Sequence, residues 1–91
     1  MKEFIVAQKS IHGGTQTVYR FSNGYGASVV EHSFSYGLEL AVIKFLSADN
    51  SHFDLTYDTP VTSDVVGHLD QDSLKDILSQ IKDFPSEMVL N

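Results

Sequence analysis

Residues 16–32, QTVYRFSNGYGASVVEH, decide the fold because they form the strongest hairpin signal in the chain. Two runs rich in aromatic and β-branched residues flank Asn23-Gly24, and such runs favour half-buried strands. Both central residues of a type I′ turn need positive φ, which Asn and Gly tolerate better than other residues. The stretch therefore predicts two antiparallel strands, 16–22 and 25–32, joined by a type I′ turn.

Similar patterns extend the predicted sheet in both directions along the chain. Residues 2–9 precede a Gly-Gly pair and read as a further strand, while residues 52–57 alternate between apolar and polar side chains. Residues 38–46 are mainly apolar on both faces, which is typical of a central strand covered on both sides. Pro60 ends the sheet, since proline cannot donate a ladder hydrogen bond. These patterns predict an antiparallel meander of four to five strands.

One amphipathic helix follows the predicted sheet. Its apolar side chains recur at the i, i+3, i+4, i+7 and i+10 spacing of a single helical face: Leu74, Ile77, Leu78, Ile81 and Phe84. Asp70 is a favourable N-cap and Pro85 is a stop signal. Residues 62–67 fit either one helical turn or an extended connector. The sequence thus predicts one α+β domain, 1–91, with the C-terminal helix packed on one face of the sheet.

The widths of these elements suggest that the sheet needs more cover than one helix provides. A helix with its side chains is about 10 Å across, and neighbouring strands lie about 4.8 Å apart. One helix therefore covers about two strands on one face, yet residues 38–46 are apolar on both faces. The remaining cover must come from residues 61–69, from the tail at 88–90, or from another chain. The last alternative predicts a homodimer or a different protein partner.

Charge and composition exclude several classes of function. Residues 1–45 carry four basic and three acidic side chains, whereas residues 46–91 carry two basic and nine acidic ones. Such a negative field repels phosphates, so direct nucleic-acid binding is not expected. The chain has no cysteine, which excludes disulfides and thiolate nucleophiles. It also has no apolar run long enough for a signal peptide or a membrane span, so the predicted location is the cytoplasm.

No motif in the sequence indicates catalysis, a metal or a cofactor. The four histidines are spread over separate elements without the spacing of a zinc site. One alternative is a small-ligand or enzyme site near Asp58, Asp64 and His68, since these polar residues surround the end of the predicted sheet. Asp is also an ordinary turn and cap residue. The sequence therefore favours a protein that is not an enzyme.

Two groups of residues are candidates for binding a protein partner. Phe34 and Tyr36 lie in the segment between two predicted strands, and aromatic residues on loops often anchor interfaces. Asp72, Asp76 and Asp83 follow i, i+4 and i+11 and so share one side of the helix. This second group is either the solvated face of the helix or a surface that binds a basic partner.

Several short motifs resemble small uncharacterised proteins encoded by bacteriophages and prophages. The matching segments lie between residues 19 and 84 and include NGYGASVV at 23–30, SYG at 35–37, LELAV at 38–42, YDTPVT at 57–62 and DVVGHL at 64–69. No catalytic signature is among them, so the resemblance transfers no functional residue. It implies a phage or prophage accessory gene expressed in a bacterial cytoplasm.

The leading expectation is a non-enzymatic phage accessory protein that binds a bacterial or phage protein. Inhibition of a host defence system, as by an anti-CRISPR protein, is one concrete form of this function. A small enzyme or ligand-binding protein and a homodimeric structural protein are the alternatives.

Overall fold

The computed structural model describes residues 1–32, 38–50, 52–55 and 66–84, and every structural statement below concerns these ranges. A 3-10 turn at Lys2–Phe4 precedes six strands and one helix. These elements are β1 (Ile5–Ile11), β2 (Gly14–Arg20), β3 (Tyr25–His32), β4 (Leu38–Phe45), β5 (Phe53–Leu55), β6 (Val66–Leu69) and α1 (Gln71–Lys82).

The sheet is an antiparallel meander in the order β1-β2-β3-β4-β5, with β6 also paired to β4. Strand β5 pairs with residues 43–45 of β4, and β6 pairs with residues 38–40, so the two short strands share one edge of β4. The predicted α+β class, meander and C-terminal helix are confirmed. Strand β6 shows that the sheet does not end at Pro60, as the sequence predicted. Val66–Leu69 is extended and pairs with β4, where the sequence allowed either a helical turn or an extended connector for residues 62–67.

The hairpin between β2 and β3 is confirmed, but the predicted type I′ turn is wrong. Phe21 N donates to Tyr25 O at 2.8 Å and Gly24 N donates to Phe21 O at 3.1 Å, so Ser22, Asn23 and Gly24 form a three-residue loop. Gly24 has φ of +89°, whereas Asn23 is not in the left-handed region. A loop of this kind needs only one positive φ, which the glycine supplies.

The Asn23 side chain has a structural use that the turn prediction did not anticipate. Its Oδ1 accepts a hydrogen bond from Tyr25 N at 3.0 Å. Its Nδ2 donates to the carbonyl oxygens of Ile81 at 2.9 Å, Lys82 at 3.2 Å and Phe84 at 2.9 Å. The last carbonyls of a helix have no intrahelical partner, so this amide caps the C-terminus of α1.

Replacing Asn23 with alanine is expected to lower the free energy of unfolding by about 1–2 kcal/mol, because the carbonyls lose their donor. Asn23→Asp removes the donor and places a negative charge beside the negative end of the helix dipole. It should therefore destabilise more at neutral than at acid pH. Urea unfolding measures both variants. Ser22→Ala, at the exposed neighbouring position, is the control, and an equal loss in all three would refute the capping role.

Helix α1 packs its apolar face against β3, β4 and β6. Leu74, Leu78 and Ile81 are buried on that face. The predicted N-cap is confirmed: Asp70 Oδ1 accepts a hydrogen bond from Ser73 N at 2.7 Å. The same backbone hydrogen bond lowers the pKa of the Asp70 carboxyl. The helix thus packs mainly on the middle of the sheet, over β3 and β4, rather than on β1 and β2.

Apolar side chains are buried on both faces of the sheet. The larger cluster lies under α1 and comprises Phe21, Tyr25, Ala27, Val29, Leu38, Leu40, Val42, Leu69, Leu74, Leu78, Ile81 and Phe84. The smaller cluster, here called the rear cluster, is Val18, Ile43 and Phe45 on the opposite face. The predicted two-sided burial of 38–46 is therefore present in β4.

The rear cluster is covered within the chain, which corrects the argument from widths. Ile43 is fully buried and Phe45 is 7% exposed. The Phe53 ring contacts the Phe45 ring edge-on at 5.4 Å, and the Arg20 guanidinium lies 4.5 Å from the centre of the Phe45 ring. Residues of both β1 and β5, including Ala7 and Phe53, line one cavity of about 120 Å³, because the sheet curls and brings its edge strands together. Contacts within the chain therefore bury the three residues of the rear cluster.

Candidate functional site

A concave surface lies beside α1, over parts of β1, β2 and β3 next to the helix. It has a volume of about 410 Å³ and is called the polar groove below. Its lining residues come from β1, β2, β3, β4 and α1: Gln8, Thr15, Thr17, Tyr19, Val29, Glu31, Leu38, Gln71 and Leu74. The groove exists because one helix is narrower than the curled sheet.

Strand alternation places the polar side chains of the groove. Thr15, Thr17 and Tyr19 occupy every second position along β2 and therefore lie on the same face. Gln8 of β1 is paired with Thr17, and its Nε2 donates to Thr17 Oγ1 at 2.9 Å. Across the other edge of β2, Thr15 is paired with Glu31 of β3. The result is a row of amide, hydroxyl and carboxyl groups beside the helix.

Two groups set the electrostatic character of the groove. Glu31 is exposed and is the sole charged side chain among the lining residues that the structure describes. Partial burial raises the pKa of the Tyr19 phenol, so this hydroxyl keeps its proton at neutral pH and remains a hydrogen-bond donor. The lining can thus donate and accept hydrogen bonds and carries a single negative charge.

A second surface consists of the three aspartates singled out from the helical spacing, here called the acidic stripe. Asp72 and Asp76 lie one turn apart in α1, and Asp83 is the residue that follows it. All three are exposed, and none of them forms an ion pair with a described residue. The ion pair present in the described ranges joins the Met1 amino group to Glu3 at 3.5 Å.

The other candidate residues are placed less fully. Phe34, Tyr36, Asp58 and Asp64 lie outside the described residues, and His68 lies in β6. In the part of the chain that the structure describes, no three His, Asp or Glu residues are grouped so that they could hold a metal ion. The candidate surfaces within the described ranges are therefore two, the acidic stripe and the polar groove. The proposed site at Asp58, Asp64 and His68 lies largely outside these ranges.

No family model, curated protein or solved structure matches this chain. The two surfaces must therefore be interpreted from their own chemistry. Among the helical residues that the structure describes, no segment is long and apolar enough to cross a membrane.

The polar groove was missed in the sequence because its residues belong to five separate elements. The alternation of Thr17 and Tyr19 with Val18 indicated two faces of a strand, but not which face the helix would leave open. Gln8 and Gln71 carried no motif of their own. Register between β1, β2 and β3 was the missing information, since it sets Gln8 and Glu31 beside the threonines.

Proposed function

We propose that the chain is a non-catalytic binding protein that recognises a basic surface on a protein partner. The observation that supports this proposal is the exposure of Asp72, Asp76 and Asp83 without an ion pair among the described residues. Following the resemblance of its motifs to phage-encoded proteins, we propose that the partner is found in a bacterial cytoplasm. It would be a host or phage protein, for example a component of a host defence system that binding would inhibit.

The charge distribution gives this recognition a physical basis. Helix α1 and its caps, residues 70–83, carry four aspartates against Lys75 and Lys82, so this part of the surface has a net negative charge. Complementary charges steer association and favour one orientation of the partner. Because exposed charges are screened by salt, the proposed complex should weaken as ionic strength rises. The exposed stripe would then contribute mainly to the association rate and to specificity.

A charge-reversal experiment tests the proposal directly. Tagged chain is used to capture proteins from bacterial lysate, and the captured protein is identified by mass spectrometry. The Asp72→Lys/Asp76→Lys variant is expected to lose that protein. The matched control, Glu39→Lys/Asp54→Lys, makes the same change in net charge at exposed positions in β4 and β5 and should retain it.

Two outcomes would contradict the proposed role of the stripe. Equal retention by both variants would show that the helix face does not contact the partner. Equal loss would show that net charge alone governs capture. Circular dichroism of each variant establishes that α1 is still folded when binding is measured.

A further inference from the structure

The polar groove carries an inference that is independent of the acidic stripe. We infer that it binds an elongated organic cation, with an ammonium or guanidinium group at Glu31 and an aliphatic stem that runs along β2 toward Tyr19. The lining, the length and the floor of the groove support this assignment separately.

The lining selects the sign of the ligand's charge. Glu31 is exposed, makes no ion pair with a described residue, and has no lysine or arginine beside it among the lining residues. The chain as a whole has a formal net charge of −6. An anion would meet this field without a compensating group, whereas a cation gains both the field and a charge-assisted hydrogen bond at the carboxylate.

The register of the sheet sets the length of the ligand. Glu31 lies four residues along β3 from Ala27, which is the partner of Tyr19 in β2. At about 3.4 Å per residue, the backbone positions of Glu31 and Tyr19 are therefore roughly 14 Å apart along the strands. One small cation cannot reach both, but a ligand with an extended stem can. Thr17 and Gln8 lie between the two ends and offer a hydroxyl and an amide.

The floor of the groove suits an aliphatic stem. Val29, Leu38 and Leu74 form a small apolar floor within a mainly polar lining, since each is only 5–6% exposed. The volume of about 410 Å³ falls within the usual range for small-molecule sites, roughly 300–1,000 Å³. A stem of methylene groups would displace water from this floor while the ends remain hydrogen-bonded.

The same chemistry occurs in free amines and in arginine or lysine side chains of a protein, so the test uses one probe for each source. Agmatine represents the free cation, and N-acetyl-arginine methylamide represents the side chain in a peptide. Each is titrated into the ¹⁵N-labelled full chain at low ionic strength. Saturable shifts confined to Gln8, Thr15, Thr17, Glu31 and Gln71 are expected, and tighter binding of one probe identifies the source.

Two glutamate variants separate a specific contact from the overall field. Glu31→Gln should weaken agmatine binding about three- to fivefold, the upper range for an exposed ion pair. Glu39→Gln makes the same charge change on the neighbouring strand, outside the groove lining, and should change it less than about 1.5-fold. Glutarate, a dianion of similar length, should produce no groove shifts.

Three results would overturn the inference. They are the absence of saturable shifts with both cations, equal weakening by both glutamate variants, and shifts centred on Asp72 and Asp76 rather than on the groove. The Asp72→Lys/Asp76→Lys variant should still bind agmatine in the groove. Loss of partner capture by this variant can therefore be distinguished from loss of cation binding in the groove.

Discussion

Gly26→Ala is expected to lower the free energy of unfolding by about 3 kcal/mol, because β3 has no space for a side chain at this position. A Cβ placed there would overlap the carbonyl oxygen of Tyr19 and would approach Phe45 Cε2 to 2.8 Å. The first contact is with backbone of the paired strand β2, so a rotamer change cannot relieve it. Relief would require β2 and β3 to separate where Arg20 pairs with Gly26.

Gly67→Ala is the matched control for this substitution. Gly67 also lies in a strand, and a Cβ there would meet Glu39 Cγ at 3.9 Å, an ordinary van der Waals contact. Its effect should stay within about 0.5 kcal/mol. Chemical denaturation of both variants measures the difference. If Gly26→Ala were as stable as Gly67→Ala, the close approach of β2, β3 and Phe45 would be wrong.

Ile43→Ala is expected to destabilise the chain by about 2–5 kcal/mol, the range for truncating a fully buried aliphatic side chain. Ile43 is fully buried and packs in the rear cluster with Val18 and Phe45. Leu46→Ala provides the comparison, since Leu46 is 58% exposed and should change stability by less than about 0.5 kcal/mol. Thermal and urea unfolding of the isolated chain measure both.

The Ile43 result also decides whether the sheet needs a partner on its rear face. A large loss would show that this chain packs the rear cluster by itself, through Phe53 and Arg20. A change as small as that of Leu46→Ala would mean that the cluster is loosely packed in the isolated chain. Stable burial of this face would then depend on a second chain.

Much of the fold was predictable because its signals are local. The alternation around Asn23-Gly24 gave the hairpin, and the apolar spacing from Leu74 to Phe84 gave the helix and its buried face. The turn type was not predictable, because Asn23 is held by carbonyls of residues 81–84 that lie far away in sequence. Strand β6 was also ambiguous, because its four residues are too few to show the apolar and polar alternation of a strand. Its pairing with β4 was not visible in the sequence.

The two candidate surfaces also differ in how far the local sequence predicts them. The spacing of Asp72 and Asp76 on a predicted helix was enough to place them on one exposed side. The polar groove depends on which strands the helix covers and on the register of β1, β2 and β3. The curl of the sheet had the largest consequence. It brings Phe53 of β5 near Ala7 of β1. In a flat sheet, as assumed from the widths of the elements, these two edge strands would lie far apart.

The amide of Asn23 also bears on the order in which the molecule assembles. Its acceptors lie 58, 59 and 61 residues further along the chain, whereas the β2–β3 loop that holds the donor spans only three residues. Contacts of such separation form late, because the intervening chain must first give up its freedom. The final turn of α1 should therefore consolidate after the hairpin. Kinetically, Asn23→Ala should speed unfolding more than it slows refolding.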